Sequence, residues 1–398
     1  RKDADRPERR LSNIRKAFAL CDESILDELK EKILFYLPKL QESELSSSNH
    51  DLLEFLAGLE LVTSHPSSKA VEIILQIIER GHLSGLAKQG FVHILSRTKN
   101  IPVSVGLLSI LRDPESLFLT KLMAIEVLGW RREKAALPLI VEILHQSKSI
   151  KMRRQAILSL GRVGDRAVVP DLLEYVDDIV FSTEISLSLL LLGEHSALDW
   201  HAQSLASGSK GKNVHLGQLV GRYGGSAYLL LLKNIIQNPE ESEVLQHAIH
   251  GLGYLGDCRV VPFLIELTGF REESMSKAAS EALELITGHY EGIDEFLLRN
   301  RWREWWKENS YDFKVGIRYR LGRRMSPELL IAALKDDDLL VRLAGYDELV
   351  ISTGVQLPFD AEGDWWLQQK QCTAWENWWT QNQQRFITGR WYFDGELL

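Results

Sequence analysis

Apolar residues recur along most of the chain at helical spacing, in pairs of short runs broken by glycine and restarted by proline. The clearest copy covers residues 153–174. Ala156, Ile157 and Leu160 line one face, Gly161 and Gly164 interrupt it, and Pro170 opens a second run with Leu172, Leu173 and Val176. The pattern predicts two short helices back to back. Pro in a first helical turn removes an N–H that has no intrahelical partner, and the Gly after Leu is expected to supply a left-handed helix end.

Aligned on the last apolar residue of the first helix, Leu61, Leu95, Leu128, Leu160, Leu192, Val220, Leu252 and Ile286 follow at gaps of 34, 33, 32, 32, 28, 32 and 34. So constant a period marks a stacked repeat array. Residues 1–48, with Leu26, Leu29, Ile33, Leu34 and Leu37 at helical spacing before Pro38, are expected to form an N-terminal helical cap, and residues 49–288 the array. Small residues (Ala124, Ala156, Ala248) admit close helix approach. Lys121, Arg153 and Arg342, each three before a small residue, are expected to tie neighbouring loops. Residues 204–213 read as a polar surface loop.

Past Gly288 the pattern changes. Nine of the eleven tryptophans lie between Trp302 and Trp391. Trp302, Trp305, Trp306, Phe313, Gly316, Tyr319 and Gly322 recur as Trp375, Trp378, Trp379, Phe386, Gly389, Tyr392 and Gly395, every offset being 73. Residues 289–398 are therefore expected to be a duplicated Trp-rich module enclosing one further helical repeat at 326–354. Each copy would carry a Trp helix followed by an extended strap. The i, i+3, i+4 tryptophans share a face and are expected to dock on the array.

Composition narrows the function. At 45% hydrophobic the chain is that of a folded protein, and its net charge of −8 disfavours a dedicated nucleic-acid binder. No apolar run approaches the length of a membrane span, and the opening Arg1-Lys2-Asp3 shows no signal peptide. Cys21, Cys258 and Cys372 are far apart, without zinc or disulfide spacing, as in a cytoplasmic protein with reduced thiols. Neither metal nor cofactor is expected. HExxH, GxSxG and a phosphate-binding glycine loop are all missing, so no catalytic residue is assigned.

The Leu-Gly…Gly-Asp…Val-Pro motifs of residues 49–288 resemble bacterial HEAT repeats of the phycobilisome-lyase-like class. With its Thr-Gly…Trp-x-x-Trp-Trp…Phe-x-x-Gly tail, the whole chain resembles a proteobacterial HEAT-repeat family with a duplicated Trp-rich C-terminal module. The resemblance implies an all-α fold, a right-handed alpha-alpha superhelix (a HEAT-type solenoid) of eight or nine hairpins. It implies a cytoplasmic adaptor or scaffold for a protein partner, with a link to effector secretion. HEAT-like enzymes such as deoxyhypusine hydroxylase use His-Glu pairs, and no His here precedes Glu. Partner contacts are expected where residues depart from the repeat consensus: Arg131, Arg132, Arg154, Arg162, Arg222 and Tyr223 beside the helix breaks, and Trp365-Trp366 outside the duplicated positions. The alternative is a nucleic-acid-binding or DNA-glycosylase-like protein using the basic stretch 299–324, through Arg299, Arg301, Arg303, Arg318 and Arg320. Oligomeric state and partner identity have no sequence signal.

Overall fold

Helix follows helix through nearly the whole chain. The computed structural model describes residue 14 and residues 17–41, 49–80, 83, 85–97, 101–206, 216–238, 242–291, 298–361 and 365–398. They form two compact units, Arg1–Val168 with Glu362–Leu367, and Val169–Ala361 with Gln368–Leu398. The division falls at Val168, within the run of repeats.

The first unit holds α1 (Ile25–Gln41), α2 (Asn49–Ser64), α3 (Ser68–Arg80), α4 (Gly85–Arg97), α5 (Ile101–Arg112), α6 (Phe118–Trp130), α7 (Leu137–Gln146) and α8 (Ile150–Val163). Alternate helices stack: α2 on α4, α4 on α6 and α6 on α8 in one layer, with α3 against α5 in the other. Between them lie Phe55, Leu59, Ile74, Ile77, Phe91, Leu95, Leu128 and Leu160, all fully buried. The register residues Leu95, Leu128 and Leu160 thus sit in the core, whereas Leu61 is half-buried. Pro38, expected to interrupt the first helix, lies inside α1. The helix ends three residues later, so the lost N–H falls in its last turn.

The second unit continues with α9 (Val169–Leu173), α10 (Ser182–Leu191), α11 (Ser196–Ala206), α12 (Leu216–Tyr223), α13 (Leu229–Gln237), α14 (Ser242–Leu255), α15 (Val261–Leu267), α16 (Glu273–Thr287), α17 (Leu298–Asn309), α18 (Pro327–Ala333), α19 (Leu339–Thr353) and α20 (Trp365–Asn382). Two hairpins complete it, β1 (Tyr319–Arg320) with β2 (Arg323–Arg324), and β3 (Tyr392–Phe393) with β4 (Glu396–Leu397), both antiparallel. The loop at residues 207–215, the larger part of the expected polar loop, lies outside the described residues.

The two glycines of each repeat do different jobs. Gly129, Gly221 and Gly253 stay within their helices, and a Cβ there would meet the next helix: Ser159 Cα at 2.9 Å from Gly129, the Gly251 carbonyl from Gly221, Ala282 Cα at 2.8 Å from Gly253. The left-handed turn expected of the Gly after Leu is made instead by the later glycine, Gly164 at φ +79° and Gly256 at φ +71°. After α6 it is made by Arg132, at φ +52°. Asp165 and Asp257 then accept the N–H groups of Ala167 (3.1 Å) and Arg259 (2.9 Å), capping the turn into the second helix. The recurring cations tie loops as expected. Arg153 donates to the Ser147 carbonyl at 2.7 Å, and Arg342 to those of Ala361, Asp336 and Asp337 at 2.6, 2.7 and 2.9 Å.

The duplication repeats down to single hydrogen bonds. α16 and α19 both end Thr-Gly, with Gly288 at φ +71° and Gly354 at φ +70°. Each receives a hairpin. Leu321 and Gly322 donate to the Leu285 and Ile286 carbonyls (2.7 and 3.0 Å), as Asp394 and Gly395 do to those of Ile351 and Ser352 (2.8 and 2.9 Å). Trp302 and Trp375 are fully buried, and each meets its neighbour three residues on edge-to-face, at 5.8 and 5.6 Å. The straps are therefore β-hairpins, and they interlock: Arg318 N–H donates to the Gly389 carbonyl (2.8 Å) and Gly389 N–H to that of Met325 (2.7 Å).

Candidate partner-binding surface and a buried arginine cluster

Two sets of residues stand out, one in each unit. In the first, α4, α6 and α8 lie side by side and line an open cleft of about 360 Å³. Leu119, Leu122, Met123 and Leu158 supply its apolar lining; Lys88, Lys151, Arg154 and Gln155 supply its polar lining. Lys151 and Arg154 are exposed, as is Leu119. Lys88 pairs with Glu126 at 3.1 Å. The i, i+3, i+4 spacing of Lys151, Arg154 and Gln155 puts them on one face of α8. Of the arginines expected to meet a partner, Arg154 is the one on this cleft. Lys88 and Lys151 were missed because each is an ordinary cation until the stacking of three helices brings them together.

Near the helix breaks, the other expected contact residues are held by the fold. Arg131 donates through Nε to Ser104 Oγ and through a terminal nitrogen to the Leu95 carbonyl, both at 3.0 Å, and burial lowers its pKa. Arg162 lies over the Trp130 ring, 3.8 Å from its centroid. Arg132 carries the left-handed turn already described. Trp365 and Trp366 begin α20, and their side chains lie outside the described residues.

In the second unit, Arg222, Arg318 and Arg320 converge on Glu348. Arg318 donates to Glu348 Oε1 at 2.7 Å and to the carbonyls of Arg222 and Tyr254 at 2.9 and 3.2 Å. Arg320 reaches both Glu348 oxygens, at 3.1 and 3.3 Å, while Arg222 Nε stands 3.9 Å away, too far for a hydrogen bond. The Tyr254 ring carries Arg222 at 3.9 Å and Arg320 at 5.1 Å from its centroid. Burial works against the Glu348 anion, but Arg320, Arg318 and Arg222 outweigh it and hold its carboxyl below the ordinary 4.5. Burial, with the repulsion of Arg320 and Arg222, pushes Arg318 down to about 10 against the pull of Glu348. Burial raises the Tyr223 phenol, which stays neutral.

Neither Tyr254 nor Glu348 was singled out in the sequence. Tyr254 did carry a signal: it stands two residues past Leu252, where Trp130, Arg162 and Arg222 stand past Leu128, Leu160 and Val220. That position forms an arginine–aromatic stack in both units. Glu348 lay inside a helix pattern and carried none.

The basic stretch 299–324 is not one surface. Arg318 and Arg320 turn inward to Glu348, Arg303 forks onto Glu266 at 2.6–3.0 Å, and Arg299 is exposed beside Gly269. Arg301 is half-buried. Among the described residues no group of three His, Cys, Asp or Glu could hold a metal ion, and no helix is long and apolar enough to cross a membrane.

The fold is all-α, built of stacked helical hairpins with two small β-hairpins. A family profile of HEAT repeats matches residues 104–183, from within α5 to the start of α10. YibA from Escherichia coli is a similar solved structure, with 16% identity, 66% of this chain and 97% of that one covered, and a TM-score of 0.38. Human deoxyhypusine hydroxylase in complex with glycerol is another, with 15% identity, 67% and 97% covered, and a TM-score of 0.27. No curated protein matches the chain.

Proposed function

We propose that the protein is a non-catalytic scaffold that binds a protein partner, and that the α4–α6–α8 face receives an acidic segment of that partner carrying one or more apolar side chains. The observation that carries this is the cleft itself. Lys88, Lys151 and Arg154 stand around an apolar lining in a chain whose net charge is −8. Apolar burial gives such a contact its affinity, and the cations give it sign and register. Stacked helical repeats suit this role because neighbouring helices present one continuous surface.

The test is affinity capture with the wild-type chain and with a Lys151→Glu/Arg154→Glu double variant. Both side chains are exposed, so the variant should stay folded, which a melting curve checks. The expected result is a protein recovered in stoichiometric amount by the wild type and lost by the variant. Recovery of nothing by the wild type, or equal recovery by both, would reject the reading.

A further inference from the structure

The α4–α6–α8 face calls for an acidic segment with apolar side chains, and the chain itself carries one. Asp336-Asp337-Asp338 is its one run of three acidic residues, and Leu339, Leu340 and Val341 follow at once. All three aspartates are exposed. Leu340, at 72%, is the most exposed aliphatic side chain among the described residues of the second unit, and Val341 beside it is exposed too. The turn is held in one shape. The Asp338 N–H donates to the Asp336 carboxylate at 2.8 Å, the Leu340 N–H donates to that of Asp338 at 2.7 Å, and Arg342 holds the Asp336 and Asp337 carbonyls. A segment fixed in advance loses little freedom on binding.

The face has the matching chemistry. Lys151 has no ion pair among the described residues, Arg154 is exposed on the same side of α8, and Leu119, Leu122, Met123 and Leu158 form the apolar part of the cleft. Charge and exposure select this turn over its nearest equivalent. Residues 177–180, Asp-Asp-Ile-Val, have the same order but two aspartates, and Ile179 and Val180 are each 46% exposed. We infer that the partner of the α4–α6–α8 face is a second copy of this chain, whose 336–341 turn places Leu340 in the cleft and its aspartates against Lys151 and Arg154. Opposite charges then fix the register while apolar burial supplies the affinity. The inference rests on the reading of that face as a partner site and names its occupant. Face and turn are different surfaces, so the contact is heterologous, and each copy offers one of each.

The test is the mass of the full chain by sedimentation, from about 5 to about 500 µM, the range expected of a contact smaller than a standard interface. The wild type should rise above the mass of one chain as concentration increases. Two variants each remove one side: Lys151→Glu/Arg154→Glu the face, Leu340→Gln/Val341→Gln the turn. Val341→Gln puts a glutamine three past the Asp338 cap, which suits that helix start. Each variant alone should associate at least about tenfold more weakly. An equimolar mixture should restore association as a one-to-one pair, because the intact turn of the first meets the intact face of the second. That restoration also shows that both variants are folded. Ile179→Gln/Val180→Gln should associate as the wild type does. A wild type that stays a single chain, a turn variant that associates like the wild type, or a mixture of folded variants that restores nothing would overturn the inference. A different protein captured through the face, and lost with Lys151→Glu/Arg154→Glu, would leave the face a partner site and remove the second copy as its occupant.

Discussion

Glu348 is one carboxylate on which three arginines depend. Replacing it by Gln keeps the shape and leaves those cations without their anion, the case in which a broken buried pair costs about 3–5 kcal/mol. Unfolding free energies of the wild type and Glu348→Gln, extrapolated from urea titrations, should differ by that much at pH 7. The sign of the pH dependence follows from the depressed carboxyl. Its contribution is fully present above the unfolded value of 4.5 and is lost as pH falls through the lower native value. The gap between the two proteins should therefore hold from neutral pH to about 4.5 and close below it; a gap unchanged at pH 3 would show that the charge of Glu348 is irrelevant. The tryptophans divide in a similar way. Trp302 and Trp375 are fully buried while Trp306 is half-buried, so Trp302→Ala should cost about 3–5 kcal/mol and Trp306→Ala clearly less, by the same denaturation measurement.

Among the elements, the two hairpins show where sequence legibility stopped. Asp394-Gly395 is a dipeptide that favours a two-residue turn with both residues at positive φ, and the structure has +49° and +80° there. Its counterpart, Leu321-Gly322, reaches +50° and +73° with a leucine, a poor residue for that conformation. The turn is imposed by the carbonyls of Leu285 and Ile286, which bind its N–H groups. Leu321 is 56% exposed, so its side chain contributes little. Leu321→Asn should stabilise the chain by about 0.5–1 kcal/mol, since Asn tolerates this region; a lower melting temperature would show that the leucine side chain has a contact that matters. The helical hairpins were readable because the period is local: Leu128, Leu160 and Leu252 needed only their neighbours in sequence. The 73-residue offset located the tryptophan helices for the same reason. What the straps pair with was not readable. Arg318 meets Arg222, Tyr254 and Glu348, all at least 30 residues away, and no spacing rule links them. The expectation that the Gly after Leu ends the helix holds at Gly193, which follows Leu192 at φ +76°, and fails at Gly129, Gly161 and Gly253 for a physical reason as well. Gly fits both a left-handed turn and a close helix crossing, and only the neighbouring helix decides which is used.

Across the molecule, the duplicated module gives the second unit its last layer of order. The two copies differ where their hairpins face inward: Arg318 and Arg320 in the first correspond to Trp391 and Phe393 in the second. The first copy holds its place by charge on Glu348. The second holds by apolar burial and by one polar bond, Trp391 Nε1–H to the Leu255 carbonyl at 3.0 Å, at the end of α14. That carbonyl belongs to a helix C-terminus, where acceptors lack intrahelical donors. The β3–β4 hairpin also supplies the N–H groups that satisfy the end of α19. Truncation before Trp391 should therefore loosen two helix ends far apart in sequence. Hydrogen exchange should show faster exchange at the last turns of α14 and α19, while the middle of α14, buried through Ile249 and Leu252, keeps its protection. Trp391→Phe separates the causes: it keeps most of the apolar area and removes the indole N–H, so protection should fall at α14 alone, by about the 1 kcal/mol of one hydrogen bond. Loss at both helix ends in that variant would mean that hairpin and helix ends order as one unit.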